Sequence, residues 1–267
     1  MLDYNVYYGT EPDALRVAQL AWLQADLAAV DRAATPWVLA TAHMPMQCSS
    51  ITYDGEFVGQ AQRYARALGA SPQAVAAATP YRGCTGTGVD NTEASRKDVE
   101  PLFLQYGVDL FMCGHEHKCV CGHAARGFWG GAPLPPCPPQ PLTLRAPHTH
   151  SSFPPSYESM WPTRELAPTQ QDFEAPRAPV YVVEGAGGAP ALDLFGAPGP
   201  FTRRQDSSWG WGRVTVHNAS HLTYERVQND LCRQQCQGSA ACPACGLPAG
   251  AVLDSWTIYQ PRHGGFL

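Results

Sequence analysis

Trp37-Val38-Leu39-Ala40-Thr41 is a short, mostly apolar run that stops at Ala42-His43-Met44-Pro45. Val108 to Cys113 is a second such run, and it stops at Gly114-His115-Glu116-His117. Uninterrupted apolar runs of this length mark strands buried on both faces of a parallel sheet. Working outward, a helix-like stretch precedes each run. Pro12 to Ala33 carries Leu20, Leu23, Leu27 and Val30 on one face, and Ser95 to Tyr106 carries Val99, Leu102 and Phe103 before Gly107 closes it. Helix-strand repeated twice predicts an α/β layered domain.

Farther along, Val180 to Val183 is a third apolar run, followed by the turn Gly185-Ala186-Gly187-Gly188. Trp211 to His217 and His221 to Val227 are predicted to form a hairpin around Asn218-Ala219-Ser220, with Val252 to Tyr259 as a closing strand. Between Gly127 and Pro179 stand thirteen prolines and almost no periodic pattern. That composition predicts a long surface insertion, partly extended and partly disordered.

Composition narrows the function. The 267 residues are 44% hydrophobic, enough to build a core, which argues against wholesale disorder. Lys plus Arg is 18 against 23 for Asp plus Glu, a formal charge of −5. Non-specific nucleic-acid binding is not expected, because it needs a basic surplus. No apolar run reaches the ~18 residues that suggest a transmembrane helix. Ten cysteines and the sequon Asn218-Ala219-Ser220 favour an oxidising compartment, so the protein is expected to be secreted or luminal: extracellular, vacuolar or lysosomal. Met1-Leu2-Asp3-Tyr4 has no leader character, so the export signal is expected upstream of Met1.

Ligand sites in open α/β sheets lie beyond the carboxyl ends of the strands, which is where His43, His115 and His117 fall. Imidazoles on strand-end loops can be aimed at a metal, although surface or packing histidines would show the same pattern. Cys232, Cys236, Cys242 and Cys245 fit either a disulfide-stapled loop or a tetrahedral zinc site, with disulfides favoured by the compartment. Cys242-Pro243-Ala244-Cys245 also matches a redox pattern, but no thioredoxin-type strand-helix unit surrounds it.

Ala42-His43-Met44-Pro45-Met46-Gln47-Cys48-Ser49-Ser50 resembles the fourth signature of the purple acid phosphatases. Val99 to Leu110, leading into Gly114-His115-Glu116-His117, is similar to their fifth. Trp22 to Leu27, Arg177 to Gly188, Gly212 to Val227 and Val252 to Ile258 resemble other segments of the family in the right order. The resemblance implies an α/β fold, the C-terminal part of a metallophosphoesterase β-sandwich flanked by helices, with its N-terminal part missing. It implies three regions: residues 1–125 from the catalytic domain, a proline-rich insertion at 126–179, and a C-terminal region at 180–267 with a cysteine-rich loop at 232–245.

The implied activity is hydrolysis of phosphate monoesters, with Fe3+ and a divalent Zn2+, Mn2+ or Fe2+ holding a hydroxide and the ester in a two-metal clamp. His43 and His115 would ligate the divalent ion and His117 the ferric ion. No nucleic acid or membrane partner is implied. Motifs that supply the family's bridging Asp, second Asp, Tyr, Asn and acid-base His are not found in these residues. After His117, where the family has Tyr-Glu-Arg, stand Lys118, Cys119 and Val120. The expectation is therefore an acid phosphatase chain with an incomplete site. The alternatives are a non-catalytic binding or structural module that keeps this half of the fold, and a zinc module on an unrelated α/β body. Cys48 and Cys84 are expected to be oxidised to one another beside the site.

Overall fold

The computed structural model describes residues 1–3, 5–7, 13–51, 91–114, 118–119, 157–185, 193–195, 198–206, 208, 210–229 and 248–267. A 3-10 turn at Asn5–Tyr7 precedes α1 (Asp13–Ala28), β1 (Leu39–Ala42) and β2 (Ser50–Ile51). Next come α2 (Asn91–Tyr106), β3 (Leu110–Cys113), β4 (Lys118–Cys119) and β5 (Tyr157–Met160). The short hairpin β6 (Thr163–Arg164) and β7 (Ala167–Pro168) leads to β8 (Val180–Glu184), β9 (Asp193–Phe195) and β10 (Thr202–Asp206). Strands β11 (Gly210–Val216), β12 (His221–Gln228) and β13 (Val252–Tyr259) complete the order.

One sheet has the order β1-β3-β8-β5-β10. Its first three strands are parallel, while β5 runs antiparallel to both β8 and β10. The two predicted apolar runs are thus hydrogen-bonded neighbours, Ala42 opposite Cys113. A second, antiparallel sheet is β11-β12-β13 and contains the predicted hairpin and closing strand. A small sheet joins β2, β9 and β4.

Strand alternation explains the layering. Phe111, Cys113, Tyr181 and Val183 face a core shared with Leu23 and Leu27 of α1 and Val99 and Phe103 of α2. Leu110, Val180, Val182 and Tyr157 face the other way, into a core shared with Leu222, Tyr224, Trp256 and Ile258 of the second sheet. A strand with both faces covered can be apolar at every position, which is why the runs show no period of two. The result is a sheet sandwich with helices on its outer face.

Two expectations shift. The first apolar run pairs over Leu39–Ala42, because Trp37 is buried between elements instead and its indole N–H donates to the Asn218 carbonyl at 2.8 Å. More consequentially, the proline-rich surface insertion does not extend to Pro179. Tyr157–Met160 is a fully buried strand of the main sheet, and residues 161–179 follow in turns, the β6–β7 hairpin and a contact with β13. Prolines fall outside that strand, and its polar residues Glu158 and Ser159 are buried with partners, so the apolar pattern that announces the other strands is missing. Residues 127–156 lie outside the described residues, as do Cys84 and the cysteine cluster at 232–245.

At the amino end of the sheet the chain closes on itself. Gly107 ends α2 with φ of 68°, and a Cβ there would run into the Gly264 carbonyl, so glycine serves both the left-handed turn and the close approach. Asp109 is buried beside it, bonded to the Val38 amide at 2.9 Å and Arg32 at 3.0 Å, with His263 3.4 Å away. Burial raises its carboxyl, and those three neighbours oppose the rise.

Candidate active site

The carboxyl ends of β1, β3 and β8 lie side by side. Cys113 pairs with both Ala42 and Val183, so His43, Gly114 and Glu184 are the next residues out along three adjacent strands. The backbone N–H of Gly114 donates to the His43 carbonyl at 2.9 Å, joining the two histidine motifs one residue before His115. His43 is exposed, whereas every neighbour from Met44 to Ser49 is buried. Met44, Met46 and Cys48 pack in the helix-side core, which presses the loop against the sheet and leaves the imidazole at the rim.

Polar networks brace this rim from both faces. On the helix side, the Ser49 amide donates to the buried Glu158 carboxylate at 2.8 Å, the Ser49 hydroxyl also bonds to it, and Thr202 donates at 2.7 Å. On the sandwich side, Tyr224 donates to Glu184 at 2.5 Å, and the guanidinium of Arg226, fully buried, pairs with the same carboxylate. Burial raises the Glu184 carboxyl, while Arg226 and the Tyr224 hydroxyl hold it down. Between the sheets, Asp254 accepts from Arg203 at 2.6 Å and Tyr157 at 2.8 Å.

His115 and His117 lie outside the described residues. Among the described residues no three His, Cys, Asp or Glu side chains gather as a metal site. What the structure assigns is therefore the edge: His43 at the rim, bonded through its backbone to the residue from which the second motif departs.

Residues 178–235 match the family described as iron/zinc purple acid phosphatase-like protein C. Acid phosphatase type 7 of Danio rerio is 23% identical over 271 residues, covering 98% of this chain and 43% of the relative. Purple acid phosphatase 23 of Arabidopsis thaliana is 29% identical over 126 residues, 47% of this chain and 19% of the relative. The solved structure of a purple acid phosphatase from yellow lupin (Lupinus luteus) seeds superposes with a TM-score of 0.50 at 19% identity, covering 91% of this chain and 28% of that one. The chain is similar to purple acid phosphatases over its length, and the family model itself covers its C-terminal segment. It spans less than half the length of the relatives it matches.

The α/β fold agrees with that of the lupin structure. Where the resemblance implied Tyr-Glu-Arg after His117, Lys118 and Cys119 form β4. Tyr157 and Glu158 open β5 at the carboxyl edge of the main sheet, with Tyr157 opposite Glu184. Sequence reasoning missed these two residues, along with Glu184 and Arg226. The available signal was the string Tyr157-Glu158-Ser159 itself, hidden among prolines. Cys48 is fully buried and disulfide-bonded. Cys113 is a buried thiol, not disulfide-bonded, that donates to the Val182 carbonyl at 3.4 Å, and the side chains of the remaining eight cysteines lie outside the described residues.

Proposed function

We propose that this chain forms the C-terminal part of an acid phosphatase that hydrolyses phosphate monoesters by a two-metal mechanism. The observation that carries it is the bond from Gly114 to the His43 carbonyl, because it holds two histidine motifs together at the carboxyl edge of a parallel sheet. His43 and His115 would hold a divalent zinc, manganese or iron ion, and His117 a ferric ion. His43 fits such a role: its imidazole is exposed at the rim while the loop behind it is buried and fixed. When bound, the metals would supply charge neutralisation for the phosphoryl oxygens. The chain's own share is to hold His43 at the end of β1, with Met44 and Met46 buried behind it.

The metal assignment is tested by titrating Zn2+ into residues 1–267 with free thiols blocked, so that cysteines cannot bind it. The unsubstituted chain is expected to bind, and His43→Ala to bind at least ~10-fold more weakly, since even removal of a ligand's hydrogen-bond partner typically costs 10–100-fold. Zinc affinity indifferent to His43→Ala would remove this reading and favour the non-catalytic module.

The family relation and an oxidised Cys48 support a secreted or luminal protein, with Asn218 as a glycan acceptor. Cys84 is the proposed partner of Cys48. That bond would close a loop whose entropic restraint is worth ~3–4 kcal/mol. Non-reducing peptide mapping is expected to recover the two cysteines in one linked pair of peptides. Recovery of Cys84 as a free thiol would reject the pairing.

A further inference from the structure

We propose that Glu158 is a positioning residue for His43, acting through Ser49; this rests on the reading of His43 as a metal ligand. Ala42, Cys113, Val183 and Glu158 stand in one row across the sheet. Glu158 is therefore three strands from β1, about 14 Å at ~4.8 Å per strand, too far to touch the imidazole. The loop from His43 to Ser49 bridges that span over the helix side of the sheet.

The loop is pinned at both ends. At its start the His43 carbonyl accepts from Gly114 at 2.9 Å. At its end Ser49 gives Glu158 both its amide and its hydroxyl hydrogens, and the Ser49 oxygen accepts from Gln205 at 2.5 Å. Thr202 donates to Glu158 as well, so β5 and β10 together form the socket. The Cys48 disulfide adds a third restraint one residue before the socket. A carboxylate that accepts a loop's backbone amide in a buried place fixes that amide in position, and its loss leaves a buried donor unsatisfied. Nothing else in Met44–Ser49 reaches solvent, so slack introduced at Ser49 is transmitted to the exposed end, His43.

The test uses residues 1–267 with free thiols blocked, carrying Glu158→Ala, Glu158→Gln or Ser49→Ala. Amide exchange across 44–49 is measured without metal, and Zn2+ affinity by chelator competition. Glu158→Ala is expected to speed exchange in that loop and to weaken zinc binding by ~10-fold or more, in the range typical of groups that orient a ligand. Glu158→Gln keeps an acceptor oxygen for the Ser49 amide and should restore most of both. Ser49→Ala removes only the hydroxyl, preserves the fold, and should give a smaller change in the same direction.

Unaltered loop exchange in Glu158→Ala overturns the positioning role, as does equal behaviour of the Ala and Gln variants. Failure of the unsubstituted chain to bind zinc removes the ligand assignment of His43 instead, and the exchange measurement then decides the loop anchoring alone.

Discussion

Arg226→Ala is expected to destabilise the folded chain by about 3–5 kcal/mol, the usual cost of removing one partner from a buried ion pair. The guanidinium is fully buried, pairs with Glu184, donates to the Ser208 carbonyl at 2.6 Å and lies 5.2 Å from the ring of Tyr157. Gly210 faces it, where a Cβ would press on the guanidinium carbon at 3.0 Å, so the opposing strand is bare where the arginine lies. Truncation leaves Glu184 in an apolar place without its cation.

The pH dependence has a definite sign. Burial already raises the Glu184 carboxyl and Arg226 opposes that rise, so the variant's carboxyl moves up further. A group whose folded value lies above its unfolded one costs stability above the unfolded value, ~4.3 for glutamate, and that cost disappears below it. Denaturant midpoints should therefore differ much more between the two proteins at pH 7 than at pH 4. Arg226→Met combined with Glu184→Gln should recover much of the loss, since glutamine keeps an acceptor for Tyr224 and no charge is left unpaired. A single variant as stable as the parent at pH 7 would refute the buried-pair argument.

Residues 1–267 as a separate polypeptide are expected to hydrolyse an aryl phosphate at acidic pH at least ~10³-fold more slowly than the same residues joined to a segment carrying the missing ligands. Three imidazoles can hold one divalent ion but offer no carboxylate to bridge a second. Loss of a single electrostatic stabiliser from an active site costs ~10²–10³, and on the proposed two-metal reading the motifs that would supply the bridging Asp, second Asp, Tyr, Asn and acid-base His are not found in these residues. Uncatalysed phosphate monoester hydrolysis is so slow that little turnover survives a partial site. The assay supplies iron with zinc or manganese, and His115→Ala in the joined protein should fall to background. Strong His115-dependent turnover by residues 1–267 alone would refute the incomplete-site argument; an inactive joined protein would favour the non-catalytic module.

Much of the scaffold was legible because its signals are local. The apolar runs ending at His43 and at Gly114-His115, the helices before them and the strand Val252–Tyr259 all declare themselves within a few residues, and the histidine motifs mark where two strands stop. That was enough to place β1 beside β3 and to put His43 at the sheet's carboxyl edge.

Strand β5 was not legible, because its buried residues include Glu158 and Ser159, and a polar residue is inward-facing only if partners elsewhere satisfy it. Those partners are Ser49, 109 residues earlier, and Thr202, 44 residues later. Glu184 and Arg226 pose the same problem, since one guanidinium can be buried only where another strand delivers a carboxylate and a glycine leaves room. Residue type and spacing therefore determined that Leu39–Ala42 and Leu110–Cys113 are strands and that His43 follows the first of them, through short-range patterns. Which buried charges and hydroxyls hold those strand ends in place was decided by the packing of two sheets, where distant residues first meet.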